Sequence, residues 1–337
     1  MPNPLISIGM PVYNGGEFLP RALDALLAQT HTNFELIISD NASTDDATRR
    51  VTEEYARRDS RIRLTRQPVN IGAVANFIWV TQQARGAYFM WAAHDDCWSP
   101  IYLEVLARKL DECPAAVLAT PLCQVETTLR DGSTQQERIP AAPNQNPDKT
   151  LQVYTEHFKA CLWLYGLYRT NWIQQTAPEW KQYPMLSGDV IWLWGVLLTN
   201  RVVGDEAAIF YYTSDHRARR RLTYRQTMQM WGIDACHMTR LSWQRLPPGQ
   251  RVGGVLKAWK YVYLHHLRRK NIVQTAIRIA KISLLWCWIG LETGIRQVLG
   301  MGAQTIRCRA LTEPSKETVP MNTSRDNEVK QESLNAA

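Results

Sequence analysis

Residues 85–98 read RGAYFMWAAHDDCW, an apolar run that stops abruptly at two adjacent carboxylates, Asp95 and Asp96. Tyr88, Phe89, Met90, Trp91 and Ala92 have the pattern of a buried strand, bounded by Gly86 before and Pro100 after. A strand that ends in paired acids puts negative charge at the edge of an open sheet, and in α/β sheets the carboxyl edge is where ligands bind. Two carboxylates side by side repel each other, so they need a cation or a shared proton. A hard divalent ion holding a substrate diphosphate meets that need.

Working outward, the first 125 residues alternate strand-like and helix-like patterns. Leu5–Met10 is a short apolar strand ending at Pro11. Glu17–Gln29 carries Phe18, Leu19, Ala22, Leu23, Leu26 and Leu27 at helical spacing. Phe34–Ser39 is strand-like and ends at Asp40; Asp45–Arg57 suits a helix capped by Ser43 or Thr44. Ile62–Thr65 reads as another strand, Asn70-Ile71-Gly72 as a turn into a helix over Ala73–Ala84, and Pro100–Glu112 as a further helix. Repeated β-α units predict an α/β fold, Rossmann-like, with a mostly parallel sheet flanked by helices on both faces.

Residues 126–150, rich in Gln, Pro, Asp and Ser, read as a loop or irregular hairpin. Apolar patterns return over residues 151–213. They close with a strand at Ala207–Thr213, ahead of which Asp205-Glu206 reads as a loop. From Tyr224 to about Gly300 the pattern is of successive basic, aromatic-rich amphipathic helices, broken at Pro247-Pro248-Gly249. Residues 311–337 are polar and predicted disordered.

Three strand ends in the front half carry polar residues: Pro11-Val12-Tyr13-Asn14, Ser39-Asp40-Asn41-Ala42-Ser43-Thr44-Asp45, and His94-Asp95-Asp96. With parallel strands all three lie on one edge. There Tyr13 is placed to stack on a base, Asp40 to accept a bond from a base or ribose, and Asp95 and Asp96 to serve ribose and metal. Helix capping explains any one of these ends equally well, since Asn and Asp are common at strand-to-helix turns; it does not explain all three in this order.

Charge divides the 337 residues unevenly. Residues 1–212 hold 18 Lys+Arg against 23 Asp+Glu, residues 213–310 hold 18 against 3, and residues 311–337 hold 3 against 5, within an overall +8. An acidic front half is thus joined to a strongly basic segment, which points to an anionic partner for that segment. Seven cysteines, with no C-x-x-C and no His/Cys cluster, argue against a disulfide scaffold or structural zinc and for reduced thiols in a cytoplasmic protein. The N-terminus MPNPLISIGMPVYN lacks the features of a signal peptide. ISLLWCWIGL, residues 282–291, is too short for a bilayer, which needs roughly 20 apolar residues.

PLISIGMPVYNGGEFLPRAL, ELIISDNASTDDAT, NIGAVANF and FMWAAHDDCWSP, taken together, resemble the nucleotide-binding half of family 2 glycosyltransferases with a GT-A fold. The resemblance is strong across residues 4–125 and weaker to about 217. It implies transfer of a sugar from a nucleotide-sugar donor, with inversion at the anomeric carbon and a divalent cation, Mn²⁺ or Mg²⁺. By position, Pro11, Val12, Tyr13, Asn14, Asp40 and Asn41 would line the base and ribose site, with Asn70 and Asn76 flanking the turn and helix beside it. Asp95 and Asp96 would be the D-x-D equivalent, Asp96 the better placed as metal ligand and Asp95 also near the donor. The motif departs from the family pattern at His94, where a carboxylate is often found; His94 reads as structural. The cation is then left with one or two protein oxygens, which suits Mg²⁺-like ions that complete their shell with phosphate and water.

Inverting transfer needs a base that deprotonates the acceptor hydroxyl. Family members keep an acid for this at the start of a helix after the sheet, and PMLSGDVIWLW supplies Asp189. Gly188 permits close approach, and a helix N-terminus favours an ionised Asp. Asp189 as a helix cap alone, or Glu179 or Asp205 as base, are the other readings. After Tyr212 the family carries a Y-R-x-H pattern whose His approaches the metal or diphosphate. Here Tyr212-Thr213-Ser214-Asp215-His216-Arg217 offers His216 as metal or diphosphate contact and Arg217, within an arginine cluster, for the diphosphate.

VLKAWKYVYLHHLRRKNIVQTAIRIAKISLLWCWIG mixes Lys/Arg with aromatic and aliphatic residues at helical spacing, as an interfacial helix requires. An anionic membrane surface at the inner face of the cell membrane is the leading partner, which fits a saccharide or polyprenyl-linked acceptor. Packing on the catalytic domain, or a homodimer, is the blander alternative. No nucleic-acid module is visible. G-x-G-x-x-G, G-x-x-x-x-G-K-[ST] and the Q/R-x-x-R-W motif of processive synthases are all missing, so the expectation is a single-addition enzyme of bacterial surface-polysaccharide assembly. The predicted organisation is a catalytic domain at 1–217 (nucleotide-binding half 1–125, acceptor half 126–217), a basic helical region at 218–310 and a polar tail at 311–337. The rival from another class is a non-catalytic glycosyltransferase-like scaffold.

Overall fold

The computed structural model describes residues 3–143, 147–183, 187–215, 224–262 and 264. By its contacts the chain divides into two units, Met1–Ile279 and Ala280–Ala337, and every described residue belongs to the first.

The front half follows the predicted alternation. β1 (Ile6–Val12), β2 (Phe34–Asp40) and β4 (Tyr88–Trp91) are buried along their whole length, which is why they read as uninterrupted apolar runs. α1 (Leu19–Leu27) has Pro20 in its first turn and buries Leu19, Ala22, Leu23 and Leu26 at helical spacing. α2 (Asp46–Arg58) is capped by Asp45, whose carboxylate accepts from Thr48 N at 2.6 Å, and not by Ser43 or Thr44 as the sequence suggested. Both of those are engaged elsewhere: Ser43 Oγ accepts from Asn14 N at 2.9 Å, and Thr44 N donates to Asn14 Oδ1 at 2.9 Å. β3 (Ile62–Arg66) and α3 (Ala73–Gln82) complete this half; Gly72, at φ +85°, opens the latter.

After β4 come β5 (Cys97–Trp98), α4 (Tyr102–Glu112), β6 (Ala116–Thr128) and β7 (Thr134–Ile139), then α5 (Pro147–Glu156) and a 3₁₀ helix (Phe158–Tyr165). β8 (Leu167–Arg169), α6 (Thr170–Thr176), a second 3₁₀ helix (Ala177–Gln182), α7 (Gly188–Thr199), β9 (Arg201–Asp215), α8 (Tyr224–Arg245) and α9 (Pro248–Val262) follow. Among the described residues the strands make one sheet in the order β3-β2-β1-β4-β8-β6-β9-β5, with β7 paired to β6 as a hairpin. β3, β2, β1 and β4 are parallel neighbours, as are β6 and β9; β8 and β5 run antiparallel.

One expectation is overturned. Asp205-Glu206 is not a loop ahead of the strand: β9 starts at Arg201. The pairing with β6 steps from Pro121↔Asp205 to Leu122↔Ile209, so the two acids sit at an irregularity inside the strand. Asp205 is held there by Arg108 and Lys109, each at 3.7 Å.

Under the sheet lies an aromatic cluster centred on Trp91 of β4, which is fully buried. Its ring meets Phe89, Tyr168, Trp180 and Trp192 edge-on at centroid distances of 5.4–5.8 Å. Such pairs contribute about 0.5–1.5 kcal/mol each beyond their burial. Trp192 belongs to α7, a helix buried nearly all round, so this contact locks α7 against β4.

The core continues into α8 and α9 through Ala235, Met238, Leu241, Ala258, Tyr261 and Val262. Tyr261 stacks on Tyr154 of α5 at 5.7 Å, and Trp194 of α7 donates to Ser242 at 3.2 Å. Lys257 and Lys260 pair with Asp148 and Glu156 of α5. The break between the two helices falls at Leu246–Pro247, as Pro247-Pro248-Gly249 predicted. The remainder of the basic segment and the polar tail lie outside the described residues.

Candidate active site

The parallel register puts the ends of β1, β2 and β4 on one edge: Val12 pairs with Asp40, Asp40 with Arg66, and Gly9 with Trp91. The β1–β4 ladder has ended by Gly9↔Trp91, so Pro11, which has no N–H to give, removes no bond on that side. Pro11 and Val12 are buried backing, whereas Tyr13 presents 45% of its surface. Among the described residues Asn14 and Ala42, at φ 52° and 57°, are the non-glycine residues in the left-handed region, and they sit at the ends of β1 and β2. Strain of that kind, about 1–2 kcal/mol for a residue such as Ala42, collects at ligand-binding edges.

Hydrogen bonds knit these ends together. Asn14 Oδ1 accepts from Thr44 N, tying the end of β1 to the loop after β2. Asn41 donates to Asn70 Oδ1 at 3.0 Å and accepts from Ile71 N at 2.9 Å, which fixes the turn before α3. Asp40 is 1% exposed and both its oxygens are occupied, one by Ser43 N at 2.8 Å and the other by Arg66 at 2.5 Å. Arg66 remains 46% exposed. Any further partner of Asp40 has to compete with Arg66, a residue that no sequence motif singles out. Asn76 is 2% exposed and spends its amide on Ser39, donating to the carbonyl at 3.0 Å and accepting from the hydroxyl at 2.6 Å. Its contribution is to the scaffold behind the edge.

The acid pair is asymmetric. Asp95 is exposed. Asp96 is 1% exposed, and neither of its carboxylate oxygens has a hydrogen-bond partner. Burial first, and the Asp95 carboxylate second, push Asp96 up to about 8, while Arg21 pulls the other way. Arg21 of α1 donates to Asp95 O at 2.6 Å, bracing the turn. His94 packs over the β1–α1 loop: a side chain at Gly15 would come within 2.5 Å of its ring, which supports the structural reading of His94. Two buried oxygens with no partner, beside a second carboxylate, are what a hard cation needs. Among the described residues no group of three or more His, Cys, Asp or Glu gathers, so phosphate and water would complete its shell.

Asp189 lies in the first turn of α7, three residues before Trp192 and hence on the same side of the helix. The Trp91–Trp192 contact thus carries Asp189 toward the β4 end of the sheet. Tyr165 marks the convergence: its hydroxyl is held far above its ordinary range by burial and then by Asp96, Asp189 and Asp95 together. Gly188 is required at its position, since a Cβ there would lie 2.6 Å from Trp180 Nε1. The N–H groups of Val190 and of Asp189 itself lower the proton affinity of Asp189, as a helix N-terminus should, but burial is the larger effect and raises it. Raised affinity suits a base. Of the other two acids, Glu179 is paired with Arg245 at 2.6 Å and Asp205 lies within β9.

Tyr165, Arg21 and Arg66 could not be picked out from the sequence. Their roles depend on bonds between residues 21 and 95 and between 40 and 66, and on the charges of residues 96 and 189 felt at 165, which no local pattern encodes. His216 and Arg217 lie outside the described residues.

Residues 7–165 match the family model described as Glycosyl transferase family 2. An uncharacterised glycosyltransferase of Rickettsia prowazekii is 34% identical over 102 residues, 30% of each chain. The segments aligned to the curated relatives span between 12% and 37% of those proteins' own length. Among solved structures, S. aureus TarS 1–349 superposes with a TM-score of 0.58 at 17% identity, over 77% of this chain and 72% of that one. TarS has also been crystallised with UDP and with UDP-GlcNAc. The mannosyltransferase PcManGT from Pyrobaculum calidifontis, in complex with GDP-Man and Mn²⁺, superposes with a TM-score of 0.53 at 14% identity, over 88% and 81%. At these identities the likeness is one of fold.

Proposed function

From a chain whose residues 7–165 are a family 2 glycosyltransferase domain on a GT-A fold, we propose that it transfers one sugar, with inversion, from a nucleotide-diphosphate sugar to a hydroxyl of a saccharide or lipid-linked saccharide. The observation that carries the reading is Asp96. A buried carboxylate with no partner at the carboxyl edge of a parallel sheet costs stability unless a ligand completes it. Asp96, with Asp95, would hold a divalent cation, Mn²⁺ or Mg²⁺, which when bound neutralises charge on the leaving diphosphate.

The chain's own residues do the rest. Tyr13 stacks on the base, and Asn14, Asp40, Asn41 and Arg66 line the nucleoside site. Asp189 takes the proton as the acceptor O–H bond breaks. The acceptor oxygen forms its bond to the anomeric carbon on the face opposite the departing diphosphate, whose bond to that carbon breaks; this is the source of inversion. Arg217 is assigned to the diphosphate, and His216 to the metal or the diphosphate. The supporting observations are the unpartnered buried carboxylate of Asp96 and the place of Asp189 in the first turn of α7, a helix whose Trp192 packs on Trp91 of β4.

The test is a thermal-shift series with UDP, GDP and dTDP and their sugars, in Mn²⁺, Mg²⁺ or EDTA. A shift that requires the cation and selects one nucleotide supports the reading. No shift with any of them favours the non-catalytic scaffold.

We assign the basic segment beyond α9 to an anionic membrane surface, on its charge and aromatic content. The role falls to this segment because Lys257 and Lys260 are already spent on α5. No helix among the described residues is long and apolar enough to cross a membrane. Flotation of the full chain on vesicles containing anionic lipid, against the Arg268→Glu/Arg269→Glu/Lys270→Glu variant, tests the assignment; equal flotation removes it. The biology this reading fits is bacterial surface-polysaccharide assembly.

A further inference from the structure

Ser187 stands at the N-cap of α7, where a serine ordinarily turns its hydroxyl to the free N–H groups of its own helix. Here it makes no such bond. Its Oγ donates instead to Asp234 Oδ1 of α8 at 2.5 Å, with Ser187 4% and Asp234 3% exposed. The backbone of Ser187 still accepts from Ile191 N at 3.0 Å, so the same residue begins the helix and binds it to α8. On its other side this first turn is closed by Trp180, against which Gly188 packs. The turn that carries Asp189 is therefore clamped between the second 3₁₀ helix and α8.

A buried carboxylate is a costly way to anchor a helix, and an amide or a second hydroxyl would do so without the desolvation. The turn it holds is the one that carries Asp189. We propose that Asp234 is a positioning residue for the catalytic base: through Ser187 it fixes the first turn of α7, on which Asp189 stands. This rests on the assignment of Asp189 above and extends it to a residue of α8.

The surroundings agree with a hydroxyl-to-carboxyl anchor. Burial, and then the Asp189 carboxylate, push Asp234 up to about 7 against the pull of the Ser187 hydroxyl. The other titratable groups on the pair are neutral at pH 7. Tyr154 of α5 and Tyr261 of α9 feel both acids, and Cys161 of the first 3₁₀ helix feels Asp189; burial holds all three protonated. On α8 itself His237 lies one turn from Asp234, and burial and Arg240 keep it neutral.

Asp234→Ala leaves Ser187 without its acceptor, whereas Asp234→Asn keeps the shape and can still accept from Ser187. Two readouts are taken on the full chain. The first is hydrogen exchange of the first-turn amides of α7, which needs no substrate; it should speed up in Asp234→Ala and stay near the wild-type rate in Asp234→Asn. The second is sugar transfer, in which Asp234→Ala should lower kcat about tenfold with the donor KM within about twofold, and Asp234→Asn should restore most of it. Ser187→Ala should lower kcat similarly, and Ser187→Thr should restore it.

Unchanged first-turn exchange in folded Asp234→Ala overturns the proposal. So does wild-type kcat in both Asp234→Ala and Ser187→Ala, or a loss in Asp234→Asn as complete as in Asp189→Asn, which would make Asp234 itself the base. If Asp234→Ala does not fold, the Ser187→Ala and Ser187→Thr pair decides. If the wild-type chain transfers no sugar, the functional reading fails separately, and the exchange of the α7 amides still shows whether Asp234 holds that turn.

Discussion

Asp96→Asn in metal-free buffer isolates the electrostatic cost on which the site is built. The folded chain holds the Asp96 proton up to about pH 8, whereas an unfolded Asp releases it near 3.8. Between those values the folded state binds more protons than the unfolded one, so Asp96 makes stability fall as pH rises. The slope is about 1.36 kcal/mol per pH unit. From pH 5 to pH 8 the full effect is about 3–4 kcal/mol, and relaxation around the charge brings the expected loss to about 2–3 kcal/mol. For a unit of this size that is about 4–10 °C of Tm. An amide at this position cannot titrate, so the variant should lack this part of the decline. Asp234, displaced in the same direction, contributes equally to both proteins and cancels in the comparison. The assay is calorimetric or fluorescence-monitored melting of EDTA-treated wild type and Asp96→Asn across pH 5–8, read as the difference in slope. Parallel curves would refute the reasoning that Asp96 is a buried, uncompensated carboxylate.

Mn²⁺ should stabilise the wild type more at pH 8 than at pH 6, because protons compete for Asp96. At 100 times Kd the gain is about 2.7 kcal/mol, and Asp96→Asn should show none of it in a metal titration followed by Tm. Gly188→Ala puts a Cβ 2.6 Å from Trp180 Nε1, so the start of α7 must move. We expect about 1–3 kcal/mol of lost stability by denaturant melt and a 10- to 100-fold loss of kcat in a transfer assay. Arg66→Met strands the Asp40 carboxylate, which is 2% exposed at its side chain. The cost should be about 2 kcal/mol, below that of a fully buried pair because Arg66 is half exposed, and calorimetry should show weaker nucleotide binding.

Much of this site could be read from the sequence because parallel strands advertise themselves. β1, β2 and β4 are buried on both faces, so their apolar runs are continuous and the polar residues that end them stand out. What escaped is what depends on distant partners. β8 contributes three residues and runs antiparallel between β4 and β6, too short to leave a pattern. β9 keeps two acids in mid-strand because Arg108 and Lys109 hold Asp205 there. The proton affinity of Asp189 turned on burial under α5, α8 and α9, which outweighs the helix N-terminus that the local sequence displays. Ser187 and Asp234 are 47 positions apart, and only the packing of α8 on α7 brings them together.

The central claim is that Asp189 removes the acceptor proton while the β1, β2 and β4 ends hold the donor. Asp189→Asn, measured side by side for donor binding by calorimetry and for sugar transfer with the nucleotide that the thermal series selects, tests it most directly. Transfer should fall by about 100-fold or more with donor affinity unchanged within about twofold. Transfer near the wild-type rate, or donor binding lost together with transfer, would contradict it.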